Sequence, residues 1–80
     1  MLSVIRAFPT LDMEKTGQNI KRLRKQAKLS VRDLQKLLSF AAPQSVYYWE
    51  RGERIPSIDT LLALATIFNT TLEDILVIRK

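Results

Sequence analysis

Capping residues recur along this sequence and divide it into short helices. Ser30 is followed three residues later by Asp33, and Thr71 by Asp74, while Ser57 closes the loop Ile55-Pro56-Ser57. Each stands just ahead of a segment whose apolar residues return at helical spacing. A Ser or Thr oxygen in that place accepts from a free N–H group of a helix's first turn, so these positions are starts and not interiors. Stops lie between them. Ser39 to Pro43 interrupts the second pattern, Gly52 stands just past the third, and Asn69 just past the fourth.

Five helices are therefore expected over residues 16 to 76, and the fold class is all-α. The first spans Gln18 to Lys28, with Ile20, Leu23 and Ala27 on one side and Lys21, Arg22, Lys25 and Lys28 in the other directions. Thr16 is its expected N-cap, with a start near Asp12 as the alternative, and Gly17 weakens that beginning. The second helix turns Val31, Leu34, Leu37 and Leu38 inward. The third runs from about Pro43 to Arg51 with Val46 and Trp49 one turn apart facing the core. In the fourth, Ile58, Leu61, Leu62, Ala65 and Phe68 form the stripe expected to be the core's main wall, and a last short helix carries Leu72, Ile75 and Leu76.

Two terminal segments, Leu2 to Phe8 and Leu76 to Ile78, are rich in β-branched or aromatic residues and could be short extended segments. They are expected to pair as strands or to make a dimer contact. The organisation is then an N-terminal arm over residues 1–15, a helical domain over 16–76 and a tail over 77–80.

Composition narrows the function. A hydrophobic fraction of 46% supports one compact core in 80 residues. A monomer of this size buries only ~60% of its unfolded surface, which favours a second copy. Neither Cys nor His is present, so thiolate or imidazole zinc sites, Ser-His and Cys-His pairs and imidazole acid–base chemistry cannot be built. No enzyme, cofactor or metal site is expected, and no small-molecule ligand is evident. The apolar start is interrupted by Arg6 and stopped by Pro9, unlike a signal peptide, and no apolar run approaches the ~20 residues of a membrane span. A cytoplasmic protein is expected. With 13 Lys and Arg against 8 Asp and Glu, the net charge of +5 favours a polyanionic partner, be it acidic protein, anionic membrane or nucleic acid, over a merely solvated basic surface.

The third helix separates these partners. A surface helix normally shows charge, yet Gln44, Ser45, Tyr47 and Tyr48 offer uncharged hydrogen-bonding groups. A short helix, a break and a second helix ending in Trp-Glu read as a helix-turn-helix. Through IKRLRKQAKLSVRDLQKLL, SVYYWERGERIPSIDTLLALATIF and TTLEDIL, the chain resembles the Cro/phage-repressor (XRE) family over most of residues 18 to 76, which implies a five-helix lambda-repressor-like DNA-binding domain.

The resemblance implies that the second helix crosses the DNA backbone while the third lies in the major groove, its N-terminal half against base edges. Gln44 is the first choice for base readout, since an amide pairs well with adenine, followed by Ser45 and Tyr48. Arg32, Tyr47, Arg51 and Arg54 are the residues expected on the DNA backbone. Arg24 and Glu50 match the family's structural ion pair. Two departures stand out: Val31 replaces a glutamine common at the start of the second helix, and the turn from Ser39 to Pro43 is one residue longer than the usual glycine-containing bend. The partner implied is double-stranded DNA bound by a homodimer. The competing reading is a protein–protein interaction module, antitoxin-like or an accessory regulator, docking through the Tyr47/Tyr48 surface.

Overall fold

The computed structural model describes residues 9–79. Five helices follow in succession between two very short strands: β1 (Thr10–Leu11), α1 (Met13–Gln26), α2 (Val31–Leu37), α3 (Gln44–Glu50), α4 (Ile58–Ile67), α5 (Leu72–Ile75) and β2 (Ile78–Arg79).

Three helix starts follow the hydroxyl caps. At α2 the capping box is complete: the Asp33 backbone N–H donates to Ser30 Oγ at 3.0 Å and the Ser30 N–H donates to Asp33 Oδ2 at 2.8 Å. Ser57 and Thr71 likewise accept from the N–H groups of Thr60 and Asp74. The first helix departs from the Thr16 expectation and takes the alternative start at Asp12. It begins one turn earlier, where Asp12 accepts from the Lys15 N–H at 2.9 Å, and Thr16 lies fully buried inside the helix. The reason lies at the other end of the chain. Thr16 Oγ1 accepts from the Val77 N–H at 2.9 Å, and the Asp12 N–H donates to the Val77 carbonyl at 2.7 Å. Beside them β1 and β2 pair antiparallel, Thr10 with Arg79 and Leu11 with Ile78. The C-terminal segment is thus extended, as expected, and its partner is Thr10–Leu11; the expected pairing of Leu2 to Phe8 lies outside the described residues.

Four helices end alike. Lys28, Ser39, Gly52 and Asn69 take φ of 60°, 59°, 75° and 53°, the left-handed region, just after α1, α2, α3 and α4. In each case the next residue's N–H returns to a carbonyl of the last turn, as Leu29 does to Arg24 at 3.1 Å and Glu53 to Tyr48 at 2.9 Å.

Every helix contributes to one core of Ile20, Leu34, Val46, Trp49, Leu61, Leu64 and Ile75. On α4 the stripe is rotated from the expected one. Leu61 and Leu64 face inward, whereas Ile58 and Leu62 are 66% and 51% exposed. Asp59, Leu62 and Thr66 share the outward face, so Leu62 lies on the helix's polar side and Leu61 and Leu64 make the inward one. Leu37 of α2, expected inside, is also exposed; Leu34 takes the inward place, with Val31 and Leu38 partly covered.

Candidate nucleic-acid interface

The short helix α3 is held firmly from behind. Val46 is fully buried and Trp49 nearly so, and the rings of Phe40 and Trp49 meet in a T-shaped pair with centroids 5.7 Å apart at 70°. Behind the helix runs α1, close enough that a β-carbon on Gly17 would sit 2.1 Å from the Trp49 carbonyl oxygen. Further along α1, Arg24 Nε donates to Glu50 Oε2 at 2.7 Å, a second guanidinium nitrogen reaches Glu50 Oε1 at 3.1 Å, and a third donates to the Leu29 carbonyl at 2.8 Å. Both side chains are under 10% exposed: 9% and 8%. The paired geometry, first through its hydrogen bonds to Glu50, holds Arg24 above its ordinary pKa and charged throughout.

Glu50 is the only carboxylate on α3, and it points back to α1. What remains outward is uncharged. Gln44 and Ser45 are exposed and Tyr47 is 45% exposed, so the amide, hydroxyl and phenol face solvent on a helix whose other face is fixed.

The segment after α3 folds back against it. Gly52 turns the chain at φ 75°, and the Glu53 N–H donates to the Tyr48 carbonyl at 2.9 Å. This brings the guanidinium groups of Arg51 and Arg54 over the Tyr48 ring, 5.3 and 4.6 Å from its centroid. Arg51 Nε also donates to Glu53 Oε2, and that bond above all raises the Arg51 pKa. Arg51, Glu53 and Arg54 are all exposed, whereas Tyr48 is half-buried beneath the two cations.

The fourth predicted backbone contact, Arg32, is exposed in the first turn of α2. Lys21, Arg22 and Lys25 are not buried either, but they lie away from the α1 face formed by Gly17, Ile20 and Arg24 that packs on α3. The structure therefore brings Gln44, Ser45, Tyr47, Tyr48, Arg51 and Arg54 together around one helix, while the α1 lysines lie elsewhere.

The turn between α2 and α3, residues 38–43, is built without glycine. Ser39 adopts φ 59°, the Phe40 N–H donates to the Gln35 carbonyl at 3.0 Å, and Gln35 Nε2 donates to the Phe40 carbonyl at 3.2 Å. With its ring on Trp49, Phe40 ties the turn to the helix it introduces. Sequence reasoning passed over Phe40 as turn filler and over Glu53 altogether. The signal for Glu53 was its acidic side chain between two arginines, in the order Arg51-Gly52-Glu53-Arg54.

Comparison with known proteins agrees with this geometry. The family model described as helix-turn-helix matches residues 20–75. The fold is similar to that of the restriction-modification controller protein C.AhdI from Aeromonas hydrophila, with a TM-score of 0.71 and 31% identity, covering 80% of this chain and 96% of that one. It is also similar to the clp gene regulator ClgR from C. glutamicum, with a TM-score of 0.71 and 20% identity over 86% of this chain and 87% of that one. The DNA-binding domain of BldD from S. venezulae gives a TM-score of 0.70 and 21% identity over 82% and 97%. No curated protein sequence matches the chain. Among the described residues no helix is long and apolar enough to cross a membrane.

Proposed function

The chain belongs to the helix-turn-helix family, and from that premise we propose that it is a transcription regulator that binds double-stranded DNA sequence-specifically in the cytoplasm. On this reading α3 enters the major groove, Gln44 and Ser45 meet base edges, and Tyr47, Arg51, Arg54 and Arg32 lie along the phosphates. The observation that carries it is the two-sidedness of α3. Trp49, Val46 and Glu50 lock one face to the core, and the opposite face is exposed, uncharged and flanked by arginines. A rigid helix that presents amide and hydroxyl groups to solvent suits base recognition, because the backbone positions from which those groups extend are set before DNA arrives.

A second copy fits the exposed face of α4. Ile58 and Leu62 are one turn apart there, in a stretch with little charge, so two domains of net charge +5 can meet without opposing their cations. Two copies would read paired half-sites one helical turn apart. The alternative, protein docking through Tyr47 and Tyr48, is weakened by the two guanidinium groups that already occupy the Tyr48 ring.

Selection of bound duplexes from a random DNA pool tests the reading. A defined sequence should emerge, its affinity should fall steeply with salt, and Gln44→Ala should bind with reduced discrimination against a scrambled duplex. Equal binding of selected and scrambled duplexes by the unaltered protein would refute it.

A further inference from the structure

Tyr48 lies one helical turn beyond Gln44 and would be counted among the base readers, yet its ring already has two partners. An arginine gains on an aromatic face by cation–π attraction, and it loses conformational freedom that a phosphate would otherwise have to remove on binding. Arg51 lies at the end of α3 and Arg54 beyond the Gly52 turn, so without a common anchor their long side chains would be held in register by the backbone alone. The ring is that anchor. Both guanidinium groups stay accessible while resting on it.

Glu53 adds a second element. Its carboxylate offers two acceptor oxygens, as a phosphodiester does, and one of them takes the Arg51 Nε–H, while the Glu53 backbone N–H is tied to the Tyr48 carbonyl. The pair is open to water, with side chains 56% and 50% exposed, so it contributes little to the fold and its exchange for a phosphate is inexpensive.

We propose that Tyr48 is a positioning residue, a platform that holds Arg51 and Arg54 for the phosphates of the DNA backbone, and that Glu53 occupies the Arg51 side of that site until DNA displaces it. This rests on the DNA-binding reading above and moves Tyr48 from base recognition to phosphate recognition. The same residues then carry a built-in brake: Glu53 lowers affinity for all DNA equally, and sequence discrimination falls to Gln44 and Ser45.

The test compares Tyr48→Leu, Tyr48→Phe and Glu53→Gln with the unaltered protein, on a duplex selected from a random pool and on a scrambled duplex of equal length, across a salt series. Tyr48→Leu should weaken binding to both duplexes by the same factor, about two- to fivefold for each arginine released, and reduce the salt slope by up to about 0.9 for each phosphate that is no longer neutralised. Tyr48→Phe keeps the ring face and should restore what the leucine variant loses. Glu53→Gln should strengthen binding to both duplexes by about two- to fivefold. A phenylalanine variant that loses discrimination would assign the hydroxyl to base readout and overturn the platform. So would a leucine variant with unchanged affinity, and a glutamine variant that binds no more tightly would remove the brake. An unaltered protein that binds both duplexes equally would refute sequence-specific regulation while leaving the leucine–phenylalanine comparison decisive for the platform. One that binds neither would overturn both.

Discussion

The α-carbon of Gly17 lies so close to the Trp49 carbonyl that an added β-carbon would stand 2.1 Å from its oxygen, well inside any van der Waals contact. The chain has two glycines, and both serve this crossing: a β-carbon on Gly52 would come within 2.8 Å of the Glu14 α-carbon. Helix α1 therefore rests directly on the end of α3, backbone against backbone, and sets its height above the core.

Gly17→Ala should accordingly destabilise the domain. In an ordinary helix interior the same change gains about 1 kcal/mol from helix propensity. Here the obstacle is backbone and cannot rotate away, and overpacking of this kind costs about 1–3 kcal/mol. Urea unfolding checks the sign, and a stabilised variant would mean that α1 and α3 separate freely.

Removing one member of the Arg24–Glu50 pair should cost more than removing both. Glu50→Ala leaves a guanidinium in a buried site with only the Leu29 carbonyl as partner, and the expected loss is about 3–5 kcal/mol. The double variant Arg24→Met/Glu50→Leu should lose less than either Arg24→Met or Glu50→Leu alone. A double-mutant cycle by chemical denaturation reads the coupling directly.

Positive φ alone does not demand glycine in this chain, since Lys28, Ser39 and Asn69 all adopt it. Lys28→Gly should therefore stabilise by about 0.5–1 kcal/mol, the left-handed penalty less the entropy of glycine. Gly52→Ala should go the other way by more than the ~1–2 kcal/mol of that penalty, because it also meets Glu14. Melting temperatures of the two variants should move in opposite directions.

The capping box at α2 gives stability a pH dependence. The backbone N–H of Ser30, and after it the Ser30 hydroxyl, hold the Asp33 carboxyl below its usual range. A carboxyl depressed in the folded state adds stability that is complete above its unfolded pKa and disappears as pH falls through the folded one. Asp33→Asn should thus melt below the unaltered protein at neutral pH, and the gap should close on acidification below about pH 4.

If the α4 face is the dimer contact, Leu62→Glu should yield monomers in light scattering while the helical circular dichroism persists. It should also weaken binding to a two-half-site duplex far more than to a single half-site. A dimer that survives the change would place the second copy elsewhere.

Much of the fold was legible in order along the chain. Ser30, Ser57 and Thr71 mark helix starts because the cap is a local hydrogen bond spanning three residues, and Gly52 and Asn69 mark ends for an equally local reason. Between the two starts offered for α1 the structure takes Asp12, and Thr16 gave way through a contact 61 residues away, with the Val77 N–H, that no local pattern carries. The α4 stripe was drawn too wide, since Ile58 and Leu62 lie with Asp59 and Thr66 on the exposed side, and packing against the other helices selects Leu61 and Leu64. The candidate reading helix α3 was visible in its uncharged outward residues, but the partners of Tyr48 were not, since they depend on the chain doubling back at Gly52.

By itself, then, the sequence determined five capped helices, their order, the polar face of α3 and the absence of Cys and His chemistry, all of which depend on residue type and on neighbours within one or two turns. Only the tertiary structure decided how α1 crosses α3 at Gly17, which side of α4 is buried, and that the aromatic ring of Tyr48 carries Arg51 and Arg54. Close approach, burial and stacking are properties of surfaces brought together from separate segments, and they are set by the packing of the whole chain.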